Sequence, residues 1–407
     1  MMINLMSLSL IYFMPISLLF LSLGFSKAGI NIGIASILLI FIYQLTRYSK
    51  LLKESFGIIE KLSISLFLTG LIVSILTNFD IGEMFSFLKK GIIFLLFPTI
   101  THLARSNVKL NISLFYFGIL AAICYSLSLW FDIGINNWNG ERIGSFWDIG
   151  RWGEILAYSI IFTLPFLLDR DSSKLFKLLF ILFISSSVIC LILSGSRAPI
   201  LAIVISSFIL ILFTRPKVLL FSFFSLCLLF FSLQKTDFGI TAQNRLESIT
   251  NTTSDASNIS RITMWQSGLE FFKFKFNHQP EDIILGSGLL HFNDEFYKFM
   301  SENYDIEEIK LKTMNNFSFS DSHNSYIDML NKLGLFYLSL YISLLTSIIL
   351  HLLKEAPTPW TQAGISLILT HLIMSFFYTS YLEYQTIVLF SLLALCLSKK
   401  KGMTDEH

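Results

Sequence analysis

The sequence predicts an all-α polytopic membrane protein of about twelve transmembrane helices, with one large outer loop between the ninth and the tenth. Three observations carry that expectation. The 407 residues are 54% hydrophobic and only 14% charged, with 41 phenylalanines, a composition outside the soluble range. The apolar residues gather in runs of roughly 17–25, each long enough to cross a hydrocarbon core of about 30 Å. Lysine and arginine then concentrate in alternate connections between the runs, the pattern of cytoplasmic loops.

Spans fall near 4–23, 28–45, 58–77, 85–103, 112–131, 153–168, 175–193, 197–214, 218–234, 323–353, 361–380 and 382–398. The first run lacks the basic start and small-residue cleavage site of a secretory signal, so it reads as the first spanning helix. The chain thus divides into helices 1–9 over 1–234, the outer loop over 235–322, helices 10–12 over 323–398 and a tail over 399–407. With the N-terminus cytoplasmic, the cytoplasmic connections and tail hold fifteen lysines and arginines. The short outer connections hold six: Lys27, Lys89, Lys90, Arg142, Arg151 and Arg197. Both termini are therefore expected in the cytoplasm and the 235–322 loop outside. A net charge of +2 and the lack of a basic, aromatic-interleaved patch give no reason to expect nucleic acid. The cysteines Cys124, Cys190, Cys227 and Cys396 lie far apart inside apolar runs and read as small core residues.

The outer loop has structure of its own. Ile262, Trp265, Leu269, Phe272 and Phe276 recur at steps of three and four, which predicts an amphipathic helix over 261–276, opened by Arg261. Leu289, Phe292, Phe296 and Phe299 form a second such stripe, and Leu285-Gly286-Ser287-Gly288 between them predicts a turn. These helices lie on the membrane surface or roof a cavity, or they pack on the bundle. Residues 248–260, rich in serine, threonine and asparagine, read as a mobile segment.

The tenth span, 323–353, counts 31 residues, about 46 Å of helix and well beyond the hydrocarbon thickness. Its first turns, with Asn324, Asp328, Asn331 and Lys332, must project from the membrane or line a wet cavity. Asp328 and Lys332, four apart, can pair on one face. Ser322 or Asp321 suits the N-cap, which places His323 in the first turn. There the helix dipole disfavours a protonated imidazole and attracts an anion. The stretch can therefore supply a general base and part of an anion site. The alternative is an interfacial histidine at a helix start.

Charges near membrane depth are costly and mark candidate sites. Arg197, in Leu193-Ser194-Gly195-Ser196-Arg197-Ala198-Pro199, has little loop to hide in and either snorkels to headgroups or points into a cavity. Arg142 and Arg151 flank another outer turn, with Glu154 just inside the next span. Arg142, Arg151, Arg197 and Arg261 on the face that presents His323 suggest a polyanionic ligand, because guanidinium grips phosphate oxygens in a two-pronged geometry. The sequence has no Walker loop, dinucleotide-binding glycine pattern, serine elbow or histidine pair at metal spacing, which points to a reaction without metal or cofactor.

His323-Asn324, nine residues, then Gly334-Leu335-Phe336-Tyr337 resembles the main motif of the bacterial O-antigen ligase family, placed as there after a large outer loop. Arg142-Ile143-Gly144-Ser145, Ser194-Gly195-Ser196-Arg197, Arg261-Ile262-Thr263-Met264-Trp265 and Leu285-Gly286-Ser287-Gly288 resemble its weaker blocks, in order. Trp147-Asp148-Ile149-Gly150 departs from the proline-asparagine that relatives often have near there. The resemblance covers roughly 140–340 and implies a twelve-helix, GT-C-like glycosyltransferase of the bacterial inner membrane with its site facing the periplasm. It implies transfer of a preassembled glycan from undecaprenyl diphosphate to lipid A-core, inverting at the anomeric carbon. His323 would be the general base, Arg197, Arg261 and Arg142 would hold the diphosphate, and Asn324, Asp328, Arg151 and Glu154 would support them. An O-antigen polymerase and a protein O-oligosaccharyltransferase share the donor and remain alternatives. A twelve-helix secondary transporter is a further one, against which stands the absence of two similar halves joined by a long central connection.

Overall fold

The structure, a computed structural model, describes residues 13–55, 57–76, 80–134, 138, 140–217 and 255–398. Every regular element among them is helical. The bundle comprises α1 (Phe13–Ser22), α2 (Lys27–Ser55), α3 (Ile58–Leu76), α4 (Ile81–Ala104), α5 (Val108–Ile133), α6 (Ile149–Leu168), α7 (Lys174–Ser194) and α8 (Arg197–Thr214). An outer domain follows with α9 (Ala256–His278), α10 (Glu281–Leu285), α11 (His291–Asn303) and α12 (Ile306–Lys312), before α13 (Ser325–Lys354), α14 (Pro359–Met374) and α15 (Tyr384–Ser398) return to the bundle. Seven of these stretches are long and apolar enough to cross a membrane, and α1 and α15 are shorter apolar helices. The protein is thus an all-α polytopic membrane protein. The predicted span 218–234, loop residues 235–254 and tail 399–407 lie outside the described residues.

Burial sorts the helices. α6 packs against α7, α8 and α14, and its residues from Trp152 to Thr163 are buried on every side, as expected of a central helix apolar all round. α15 lies against α4, α6 and α14 and is buried along nearly its whole length. One imidazole joins three of these helices: His371 of α14 bonds Tyr158 of α6 at 2.7 Å and Tyr341 of α13 at 2.5 Å.

The tenth predicted span is not one rod. α13 breaks at Gly334 (φ 80°, ψ 170°), a backbone conformation that needs glycine. The break frees the carbonyls of Asn331 and Lys332, and the backbone N–H groups of Ser287 and Gly288 take them at 2.9 and 2.8 Å. The approach is so close that a Cβ on Gly334 would lie 2.1 Å from the Ile284 oxygen, and one on Gly286 would lie 2.4 Å from the Lys332 carbonyl carbon. The predicted 285–288 turn is therefore a clamp on the break. The segment 335–354 alone measures about 30 Å, one membrane thickness, which accounts for the excess length.

The outer domain corrects three more expectations. The helix predicted to open at Arg261 begins at Ala256, capped by Asp255 (accepting from Asn258 N at 3.0 Å), so 256–260 is helix and Arg261 lies in its second turn. Its apolar stripe is not its buried face: Ile262, Trp265 and Phe272 are half-buried, and Leu269 and Phe276 are 51% and 60% exposed. The buried face is the small one, with Ser260, Thr263, Ser267 and Gly268, because α13 approaches so closely that a Cβ on Gly268 would meet Ile327 at 2.8 Å. α9 therefore packs on the bundle at α13 through its small face, whereas Phe292, Phe296 and Phe299 of α11 build a core with Phe271 of α9 and Met300, inside the outer domain. Buried Lys275 knots the domain together, bonding Asp282, Glu295 and Ser287. The predicted 361–380 span also ends early: α14 stops at Met374, and 375–383 forms a connection whose Ser375 and Tyr378 carbonyls both accept from Ser325 N.

Candidate functional site

The starts of α4, α6, α13 and α15 meet the outer domain at one end of the bundle, around a cavity of about 510 Å³. His323, Arg151, Glu154 and Asp328, all singled out from sequence, line it together with Asp321, Lys90, Lys332, Tyr378, Tyr381 and Glu383.

His323 stands just before α13, not in its first turn. The N-cap is Asn324, whose side-chain oxygen accepts from Tyr326 N and Ile327 N at 3.0 and 3.2 Å. Capping has displaced the sequence expectation by two residues, because the chain turns at His323 with φ 45°, a left-handed conformation that histidine tolerates better than most residues. The imidazole is instead oriented by Asp321, whose Oδ1 accepts the His323 backbone N–H at 2.9 Å and lies 3.1 Å from Nδ1. A proton on Nδ1, the nitrogen nearest that carboxylate, would leave Nε2 as the accepting nitrogen. The ring is 42% exposed and reachable from the cavity. A base held by a carboxylate next to an open cleft is the arrangement that proton abstraction requires.

Asp328 and Lys332 do pair, at 2.8 Å, and both are buried. Their role is to hold the His323 turn. Asp328 accepts from Ser322 N at 3.2 Å and from the Tyr381 hydroxyl at 3.0 Å, and Lys332 donates to the Ser320 carbonyl at 2.7 Å. The turn is thus fastened on both sides of Asp321.

The arginines separate into two sets. Arg151 is on the cavity wall, bonded to Asp148 and, at 2.9 Å, to Glu383, which also takes Lys90 at 2.9 Å. Arg142, Arg197 and Arg261 do not line the cavity. They gather behind Tyr378, with the Arg261 guanidinium 5.4 Å from its ring centre. Arg142 donates to the Ser194 carbonyl at 3.0 Å, and Arg197 donates to Asp255 at 2.9 Å. Burial lowers the Arg142 pKa from its usual value; Tyr378 works against this, while the nearby positive charges of Arg261 and Arg197 add to it. Three guanidinium groups close enough to repel one another form a site suited to an anion with several charges. Tyr378 lines the His323 cavity and has Arg261 against its ring, so it borders both.

The sequence did not point to Tyr378, Tyr381 or Glu383, and read Lys90 only as a loop charge. Their one signal was polarity inside what looked like an apolar hairpin, Thr379-Ser380-Tyr381-Leu382-Glu383. Among the described residues no three His, Cys, Asp or Glu side chains converge as a metal site would require.

Fold and site together define a polytopic helical membrane protein with a histidine beside an open cavity and an arginine cluster near it, under an outer domain. Residues 179–342 match the family model described as O-Antigen ligase, which supports membership of the O-antigen ligase family. The match runs from α7 through the outer domain into α13, so it includes Arg197, Arg261, Asp328 and His323. The family comprises glycosyltransferase-like ligases and polymerases that act on lipid-linked glycans at membranes. No match to the chain exists among curated proteins.

Proposed function

We propose that this enzyme transfers a preassembled glycan from undecaprenyl diphosphate to a sugar hydroxyl of lipid A-core, at the periplasmic face of a bacterial inner membrane with both termini cytoplasmic. The observation that carries the reading is the placement of His323 and of the Arg142, Arg197 and Arg261 cluster around Tyr378, which borders both. The histidine suits the attacking hydroxyl and the arginines the departing diphosphate.

In this reading Nε2 of His323 takes the proton of the acceptor hydroxyl as its oxygen bonds to the anomeric carbon. The bond from that carbon to the diphosphate oxygen breaks on the opposite side, inverting the configuration. The diphosphate leaves with its charge held by the arginines, which act where negative charge develops. Diphosphate is a good leaving group, so alignment and charge matter more than a strong acid. Asp321 orients the base, while Asn324, Asp328 and Lys332 fix the turn that carries it. The step calls on no metal or cofactor.

An O-antigen polymerase, with a second lipid-linked glycan as acceptor, and a protein O-oligosaccharyltransferase would use the same two sites. The test is transfer by the purified chain in detergent with chelator, from undecaprenyl-diphosphate-linked glycan to lipid A-core or to a second lipid-linked glycan. Product on lipid A-core, lost in His323→Ala, is expected. Longer lipid-linked chains would make the enzyme a polymerase, and full activity of His323→Ala would remove the proposed base.

A further inference from the structure

Five residues on the wall of the His323 cavity carry buried polar atoms with no hydrogen-bond partner: Glu154 Oε2, Gln385 Oε1, Asn293 Oδ1, Thr379 Oγ1 and Arg151 Nε. Glu154 and Gln385 are only 1% and 4% exposed. The Gln385 amide donates to Glu154 Oε1 at 2.9 Å, which fixes both groups and leaves one oxygen of each over. The Ser380 hydroxyl lies close to the Glu154 carboxyl, and its oxygen too lacks a hydrogen-bond partner. An unsatisfied buried polar atom is costly, and such atoms are rare enough that several on one wall need a reason. Three of the five are oxygens that accept, one is a hydroxyl that does either, and one is an N–H. Their complement is a compact ligand with several donors, which a ring of hydroxyl groups provides.

Charge narrows the ligand further. Among the described residues lining the cavity, Arg151 is held by Asp148 and Glu383, Lys90 by Glu383, and Lys332 by Asp328. Each of these cations already has its carboxylate. Glu154, by contrast, has no ion-pair partner. A phosphate or a sugar acid entering here would find no uncommitted cation and would face a carboxyl group.

We propose that this corner is the subsite for the acceptor's sugar ring, and that it takes an uncharged ring bearing free hydroxyls, received by Glu154, Gln385 and Asn293. The assignment rests on the glycan-transfer reading, since it places the ring beside the base. It divides the labour around Tyr378: charge recognition falls to the arginines, and hydroxyl recognition to Glu154, Gln385 and Asn293.

The test is transfer by the full chain in detergent, with saturating donor, varied lipid A-core acceptor and, in parallel, binding of undecaprenyl diphosphate. Glu154→Gln puts a donor where an acceptor is needed, and Asn293→Ala removes an acceptor at the start of α11 without touching the bundle. Both are expected to raise acceptor KM about tenfold, the equivalent of one hydrogen bond, with undecaprenyl diphosphate binding unchanged. Free glucose is expected to compete with the acceptor, and glucose 6-phosphate to compete about tenfold less well. An active wild type whose acceptor KM is unchanged in both variants, or in which the phosphorylated sugar competes better, overturns the subsite and leaves the transfer reading intact. A wild type that transfers to no acceptor overturns both.

Discussion

Glu83, in the first turn of α4, accepts the backbone N–H of His291 at 2.7 Å, and with the same carboxylate those of Leu289 and Leu290 at 2.8 and 2.7 Å. One buried acid of the bundle thus satisfies the N–H groups at the start of α11, where the helix dipole favours a negative charge. The outer domain is fastened at this point and at the Gly286–Gly334 clamp. Glu83→Ala leaves three N–H groups without a partner and is expected to cost about 3 kcal/mol or more. Glu83→Gln, which keeps one accepting oxygen, should cost less. Hydrogen exchange at 289–291 measures it: exchange no faster than in the wild type would place the anchor of α11 elsewhere.

The clamp itself is expected to tolerate no side chain. Gly334→Ala and Gly286→Ala each combine a positive φ with a Cβ less than 3 Å from backbone. Each should lose about 2–4 kcal/mol from strain and overpacking. Thermal unfolding of the detergent-solubilised variants checks this, and an unchanged midpoint would mean that the break in α13 can close.

His323→Ala is expected to lower transfer by about 100-fold or more, the usual contribution of a general base, with no fall in membrane abundance. The ring is partly exposed, and the fold around it is held by Asn324, Asp328 and Lys332. Asp321→Asn, which weakens the hold on Nδ1, should lower kcat with little change in donor KM. An altered donor KM with kcat unchanged would move Asp321 from orienting the base to binding the donor.

Arg197→Lys and Arg261→Lys keep the charge and lose the fork. Each is expected to weaken binding of undecaprenyl diphosphate about tenfold. Binding as tight as in the wild type would assign these arginines to the fold alone.

Asp255 makes one contact of the arginine cluster sensitive to acid. Burial works to raise its pKa, but bonds from Arg197 and the Asn258 N–H outweigh burial and hold it below the usual value. A lowered folded-state pKa gives stability that is complete above the unfolded value of about 3.9 and is lost as pH falls through the folded value. The Arg197–Asp255 tie and the first turn of α9 should therefore be constant at neutral pH and loosen only below about pH 4. Asp255→Asn should abolish that dependence. Amide exchange at 256–260 across this range reads it, and loosening that begins near pH 6 would implicate another group.

The sequence by itself determined the helices and the kinds of chemistry available. Apolar runs of membrane length have to bury their backbone in helices. The four-residue step from Asp328 to Lys332 put the pair on one face, and Leu285-Gly286-Ser287-Gly288 allowed only a turn. His323, Arg142, Arg197 and Arg261 were legible because charged and basic residues beside apolar runs need a reason to be there. Only the tertiary structure decided which of them meet. That α9 turns its small face inward follows from how near α13 comes at Gly268, and the break at Gly334 needs the 285–288 turn to take the carbonyls it frees. Glu383 reaches Arg151 and Lys90 only because α15 lies between α4 and α6. Tyr378 borders both the His323 cavity and Arg261 because α14 stops at Met374. Local pattern fixes hydrogen bonding within a few residues, whereas these contacts join helix ends that are far apart in the chain and adjacent only once the bundle has packed.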